Sequence, residues 1–452
     1  MKNLPKHFKG SHHSLFQSAI REAGIGLEDA EKSVRGLFRH HDAQNAAANI
    51  LTSDSNPKEG TLEVCASLAL QLIEAKIKGD QEEIEALENQ LKFSPCDAIG
   101  WLKVVKIYFD YYCGGTIPMY RTYDPANIDD SFVYPLPSNN LTVVVIGDWG
   151  TGEEVADVVL EEVFKHEPDI LIHVGDIYYA GTPNEAQANF MNPINKARGK
   201  SSSGKSRNIP VYNLPGNHDY YSGGQGFYNT IDELNSTPYG SEGTPLQEAS
   251  FFCLRNDHWQ LQGLDTGFYD HDLFKVGKDT THLHQSEILW HQNKLASAGD
   301  RKVIFFSHHQ LFSSFLAINK GTYNPDLYEP FQDEITSGKI AAWLWGHEHL
   351  MEIYAPHLGM KAGRCVGNGA FPELTSSSGY KTLDESKVGP IPPLLTDPNT
   401  GTFYKTGTTD DVYNHGYAIL QLNDAQATAS YYQVPGDGME QSSTLLFQEN
   451  LG

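Results

Sequence analysis

Five short segments in the middle of the chain each place a metal-capable residue directly behind an apolar run. They are Asp148 in GDWG, Asp176 in GDIYY, Asn217-His218 in GNHD, His308 in SHH, and His347 with His349 in GHEH. Before Asp148, Val143 to Ile146 form an unbroken β-branched run, the pattern of a strand buried on both faces. The glycine that follows permits a sharp turn. Asp148 therefore emerges at the carboxyl end of its strand, where ligands bind in open α/β sheets. A Gly-Asp turn or a histidine pair is common alone, but packing does not explain donors delivered at the end of strand after strand. Carboxylates, an amide, a phenol and imidazoles, with no thiolate among them, suit borderline-to-hard first-row metals. They are too many for one ion; two ions roughly 3.5–4 Å apart, bridged by a carboxylate, would use them all.

Strands and helices must alternate to present these residues on one edge. An amphipathic segment from Glu153 to His166 follows the first strand, and Ile170 to Val174 leads into Asp176. Further strands are expected at 209–214, 251–254, 259–264, 303–306, 341–345, 361–366, 417–422 and 428–434, with a helix at 285–298. Early βαβ alternation followed by strand pairs predicts an α/β fold with two packed sheets and helices outside. Residues 1–112 read instead as an N-terminal all-helical region. Its signals are the stripe Leu27, Ala30, Val34, Leu37, Phe38, the capping box Asp80 and Glu83, and a helix through Trp101, Val105, Tyr108 and Phe109. Residues 113–140, punctuated by Gly and Pro, read as a surface linker, 141–435 as the domain that carries the donors, 373–416 as an irregular insertion within it, and 436–452 as a tail.

A net charge of −24 repels nucleic acid and anionic membrane surfaces, so an anionic substrate needs a cationic site of its own. No apolar run approaches the roughly 20 residues of a membrane span. The first residues lack the apolar core of a signal peptide, and five scattered cysteines without a CxxC pair fit a reducing compartment. The cytoplasm is the expected location.

In their order and context, GDWG, GDIYY, GNHD, SHH and GHEH resemble the motifs of the calcineurin-like metallophosphoesterases, and within them the purple acid phosphatases, over residues 147–349. Most of that superfamily begins with Asp-x-His, whose histidine binds metal; here Gly150 stands at that position. The purple acid phosphatases supply instead a tyrosine three residues after the second aspartate, a place held by Tyr179. The resemblance implies a four-layer α-β-β-α sandwich of two mixed sheets. It implies two metals, with Asp148, Tyr179 and His349 on the first, Asp176 bridging, and Asn217, His308 and His347 on the second. Fe(III) is expected at the tyrosine site and Fe(II), Zn or Mn at the other. The implied activity is acid phosphatase-like cleavage of phosphate monoesters by attack of a metal-bound hydroxide. His218 would protonate the leaving group, and His309 would contact phosphate or solvent. A phosphodiesterase or nucleotidase on the same scaffold is the alternative; an idle scaffold, binding a partner through the N-terminal helices, is a further one. The expected partner is a small phosphorylated substrate, with neither nucleic acid nor membrane, and a homo-oligomer or protein partner could use those helices.

GKSSSGKS at 199–206 matches the P-loop pattern, yet no strand precedes it and a strand follows it, the reverse of what phosphate binding requires. Its neighbouring cations, Lys196, Arg198, Lys200, Lys205 and Arg207, read as a basic loop that could steer phosphate.

Overall fold

The computed structural model describes residues 104, 107, 108, 110–112 and 116–451, except 201–208, 236–245, 273–280, 374, 376–377, 410–411 and 437–441. The helices expected before residue 104 and most of the GKSSSGKS segment lie outside the described residues. Residues 104, 107, 108 and 110–112 are helical.

The strands are β1 (Val133–Pro135), β2 (Asn140–Ile146), β3 (Ile170–His173), β4 (Val211–Asn213), β5 (Phe252–Arg255), β6 (Trp259–Leu264), β7 (Lys302–Ser307) and β8 (Ile340–Trp345). They continue with β9 (Met351–Ile353), β10 (Gly363–Val366), β11 (Thr408–Thr409), β12 (Val412–Tyr413), β13 (His415–Asn423), β14 (Gln426–Val434) and β15 (Thr444–Leu451). Six form one sheet in the order β15-β14-β13-β2-β3-β4, and seven form a second in the order β1-β5-β6-β7-β8-β10-β9. In the first sheet β2, β3 and β4 are parallel and β13 runs antiparallel to β2. In the second, β6, β7, β8 and β10 are parallel, with antiparallel β5 and β9 beside them. Both sheets are therefore mixed.

Side chains on a strand alternate between faces, and β2 shows what its β-branched run is for. Val143 and Val145 join Ile172, Leu420, Leu261, Ile304, Phe306 and Leu344 in the core between the sheets. Val144 and Ile146 face the other way, onto Val155, Val159 and Val163 of the helix Glu154–Lys165 and onto Phe190 and Ile194. The outer face of the second sheet buries Val303, Phe305, Trp343 and Trp345 under Leu295, Leu327, Phe331 and Ile335. Three apolar layers between four layers of structure give the expected α-β-β-α sandwich.

Two boundaries differ from expectation. Residues 116–140 are not a surface linker: β1 pairs with β5, and Tyr123, Phe132, Tyr134 and Leu136 are buried in the core between the sheets. The aromatic residues between the Gly and Pro signals outweigh them, and Pro135 is tolerated because β1 lies at a sheet edge. Nor is the C-terminus a free tail, since β15 pairs antiparallel with β14 and buries Leu451. Among the described residues no helix is long and apolar enough to cross a membrane.

Candidate metal centre

The expected donors gather where β2, β3, β4, β7 and β8 end. Asp148, Asp176 and His347 all lie in the left-handed backbone region, at φ of 55°, 73° and 69°. Such conformations cost a non-glycine residue on the order of 1–3 kcal/mol each and persist where surrounding contacts fix them. Here the contacts come from the site itself. The Asp148 amide donates to the Gly175 carbonyl at 3.0 Å, and the His347 amide to Asp148 Oδ2 at 2.8 Å. The Asp176 amide donates to Asp219 Oδ2 at 3.0 Å, and Asp219 Oδ2 also accepts from the Gly216 amide at 2.8 Å. Asp219 thus fastens the end of β3 to the helix Asn217–Tyr220. A side chain at Gly216 would meet Asp176 Oδ1 at 2.0 Å, so only glycine lets that helix approach so closely.

Around this frame the lone pairs converge. The His308 Nε2 atom lies 3.1 Å from Asn217 Oδ1, 3.3 Å from His347 Nδ1 and 3.5 Å from Asp176 Oδ2. His308 Nδ1 faces the Val174 carbonyl at 3.0 Å; a carbonyl only accepts, so Nδ1 carries the hydrogen and Nε2 the lone pair. Asn217 Nδ2 donates to the Tyr221 hydroxyl at 2.6 Å, which turns Oδ1 toward the cluster. On the other side His349 Nε2 lies 3.4 Å from Asp148 Oδ1, its ring stacked 3.9 Å from that of Phe371. The ligand-capable atoms of Asp148, Asp176 and His349 lie within 4.8 Å of one another, as do those of His308, His309 and His347.

A tyrosine next to the expected Tyr179 enters the cluster: the Tyr178 hydroxyl lies 2.8 Å from Asp148 Oδ1, 3.1 Å from Asp176 Oδ2 and 2.9 Å from His349 Nε2. Ile177 forms a parallel bridge with Gly150, and the Tyr178 amide donates to the Gly150 carbonyl at 2.9 Å. The turn that follows directs Tyr178 inward, while Tyr179 packs against the cluster of Tyr221, Tyr108 and Val104 and against that of Tyr178 and Phe371. Gly150 belongs to the same arrangement: a Cβ there would stand 3.0 Å from the Asp176 carbonyl oxygen and from Ile177 Cα.

His218 is fully buried, with Nδ1 2.5 Å from the Tyr179 carbonyl and Nε2 3.9 Å from Asp176 Oδ2. Burial pushes its imidazole down to about 3, so it stands neutral with Nε2 toward Asp176. His309 is 5% exposed, and both ring nitrogens are engaged: Nε2 at 3.0 Å from Asp270 Oδ2 and Nδ1 at 3.0 Å from Thr266 Oγ1. Asp219, Asp270 and Thr266 were not foreseen. Asp219 stood inside GNHD and could have been found there; Asp270 carries no spacing signal.

Electrostatics give the donors a reason to want cations. Burial pushes Asp148 up to about 7. Burial first, and then the charges of Asp148 and Asp219, raise Asp176 well above the usual carboxylate range. Packed carboxylates with inward lone pairs and, among the described residues, no lysine or arginine bonded to them fit two hard-to-borderline cations. Of the basic stretch, Lys205 and Arg207 lie outside the described residues; Lys196 pairs with Asp157, Lys200 with Glu161 at 2.7 Å, and Arg198 donates to the Leu234 carbonyl at 2.9 Å.

Residues 141–351 match the family model of the calcineurin-like phosphoesterases. A probable glycerophosphodiester phosphodiesterase of Arcobacter nitrofigilis is 27% identical over 145 residues, 32% of this chain and 43% of that protein. The chain thus spans less than half the length of this relative. Among solved structures, a purple acid phosphatase from yellow lupin (Lupinus luteus) seeds is 15% identical, at a TM-score of 0.42 over 70% of this chain and 54% of that one. A dimetal phosphatase from Danio rerio is 11% identical, at a TM-score of 0.41 over 68% of this chain and 98% of that one. The family match runs from the start of β2 to the start of β9, through every strand end that delivers a donor. Residues 141–351 are a calcineurin-like phosphoesterase domain.

Proposed function

We propose that this chain is a dinuclear-metal hydrolase that cleaves phosphate monoesters, a phosphatase of the purple acid type. One observation carries the reading: the Tyr178 hydroxyl lies 2.8 Å from Asp148 and 3.1 Å from Asp176, beside the place where Gly150 offers no side chain. Asp148, Tyr178 and His349 would hold one ion, Asn217, His308 and His347 the other, and Asp176 both. A phenolate is a hard anionic donor, which favours Fe(III) on its side, with Fe(II), Zn or Mn opposite. When bound, the ions lower the pKa of water and neutralise phosphate oxygens. The protein supplies the rest. Aspartates held in left-handed turns fix the donors before substrate arrives, and the closed sandwich excludes water behind them. His218 Nε2 would hold the proton that a leaving alkoxide takes up. Its imidazole is neutral in the buried site, so substrate anion beside it must favour protonation first.

A phosphodiesterase is the second reading, favoured by the name of the Arcobacter relative. Initial rates with an aryl phosphate and a bis-aryl phosphate separate the two. The monoester is expected to turn over faster; faster cleavage of the diester reverses the assignment. No cleavage of either by the fully metal-loaded protein would leave only a binding scaffold. A visible tyrosinate-to-iron band that survives in Tyr179→Phe and vanishes in Tyr178→Phe tests the iron assignment.

A further inference from the structure

Directly behind the histidines of the metal centre stands an unbroken chain of contacts that the proposed reaction does not use. The Thr266 hydroxyl accepts from the His309 amide at 2.9 Å, and its own hydrogen then points at His309 Nδ1, 3.0 Å away. The Asp270 carboxylate can only accept, so His309 Nε2 carries a hydrogen and donates it across 3.0 Å. These bonds fix the ring's tautomer, tilt and rotation and leave no nitrogen for a substrate. What His309 does present is its face. Its ring centroid lies 4.4 Å from that of His347 and 4.9 Å from that of His308, perpendicular to the latter. The far end is anchored as well. Asp265 Oδ1 accepts from the amides of Gly267 at 3.1 Å and Phe268 at 3.0 Å, closing the turn that carries Asp270. Asp265 Oδ2 accepts from the Tyr220 hydroxyl at 2.7 Å, at the end of the helix that begins with Asn217.

We infer that Asp270 and Thr266 are positioning residues, which hold His309 as a strut behind His347 and so set the affinity of the histidine side of the centre for its metal ion. The inference rests on the dinuclear reading above. His309 is then not a phosphate contact; it acts through His347. Groups that orient a ligating histidine typically change metal affinity by about 10–100-fold, and one step further out about tenfold is expected.

Zinc is a suitable probe. Full-length protein, stripped of metal, is titrated with Zn²⁺ against a chromogenic chelator, and the metal-free melting temperature is recorded alongside. The wild type is expected to bind two ions. Asp270→Ala and Thr266→Ala are expected to bind one as the wild type does and the other about tenfold more weakly, with kcat lowered and KM unchanged. His309→Ala should match them, and the double variant Asp270→Ala with His309→Ala should be no worse than either single change, as for residues acting in one chain. Asp270→Asn keeps an oxygen acceptor and should recover most of the affinity, which separates positioning from general damage should Asp270→Ala melt early. Wild-type affinity at both sites in Asp270→Ala, or a raised KM with intact metal binding, overturns the strut. A wild-type chain that binds fewer than two ions overturns the dinuclear reading itself, and the strut with it.

Discussion

The two sheets contribute opposite chemistries to one centre. The ends of β2, β3 and β4, in the first sheet, supply oxygen: Asp148, Asp176, Tyr178 and Asn217. The ends of β7 and β8, in the second, supply nitrogen: His308, His347 and His349. Most of the protein's charge at the site therefore sits on one sheet, while the other offers neutral donors whose worth lies in orientation. The oxygen side is built by backbone, through left-handed turns at Asp148 and Asp176 and the close approach at Gly216. The nitrogen side is built by side chains leaning on one another, His308 on the Val174 carbonyl, His347 against His309, His349 on Phe371. Charge should be sensitive to substitution at the oxygen edge, and geometry at the nitrogen edge.

The widest separation comes from Asp176→Asn, which removes the shared charge. It is expected to lower kcat on the order of 10³-fold, the scale of deleting one preorganised electrostatic group, while the neutral exchange His347→Gln costs less. Steady-state kinetics with metal analysis decide; equal losses would erase the distinction between the edges. Metal removal comes next. Without cations the buried carboxylates repel, so chelation should lower the melting temperature. Zinc at about 1,000 times its dissociation constant should restore about 4 kcal/mol. A melting curve indifferent to zinc contradicts the site.

A subtler contrast lies within the oxygen edge. Tyr178→Phe is expected to lower kcat by about 10–100-fold, while Tyr179→Phe stays within a small factor of the wild type. If the order is reversed, the geometry around Gly150 has been misread. A further effect is on stability, and lies outside the centre. Burial pushes Glu287 up to about 8 from an ordinary value of 4.5. The buried acid favours its proton, so its contribution is complete below pH 4.5 and is lost as pH rises toward 8. Glu287→Gln should flatten the fall in urea midpoint over that window, with or without metal. Asp148, pushed up to about 7, should lose its pH dependence once metal is bound. Parallel curves in wild type and Glu287→Gln would refute the first claim.

Much of this is legible in the sequence. An unbroken β-branched run reads as a doubly buried strand, and β2 shares its residues between two cores as that pattern implies. Motifs at strand ends located the donors because topology carries all those ends to one edge. What escaped was set by contacts distant in sequence. Tyr178 and Tyr179 are chemically identical, and only the bridge between Ile177 and Gly150 distinguishes them. Asp270 lies 39 residues from the histidine it holds, and nothing in LDTGFYD marks it. Residues 116–140 misled because turn residues punctuate an apolar run that the second sheet buries.

Gly150 also constrains how this site could have arisen. A histidine restored there would need room where the backbone of Asp176 and Ile177 now passes, 3.0 Å from the position of its Cβ. Removing Tyr178 first leaves the oxygen side short of a donor; adding the histidine first disturbs the segment that carries Tyr178. A histidine at 150 is expected to disturb the centre whether or not Tyr178 is present, because the nearest atoms it meets belong to the backbone of Asp176 and Ile177.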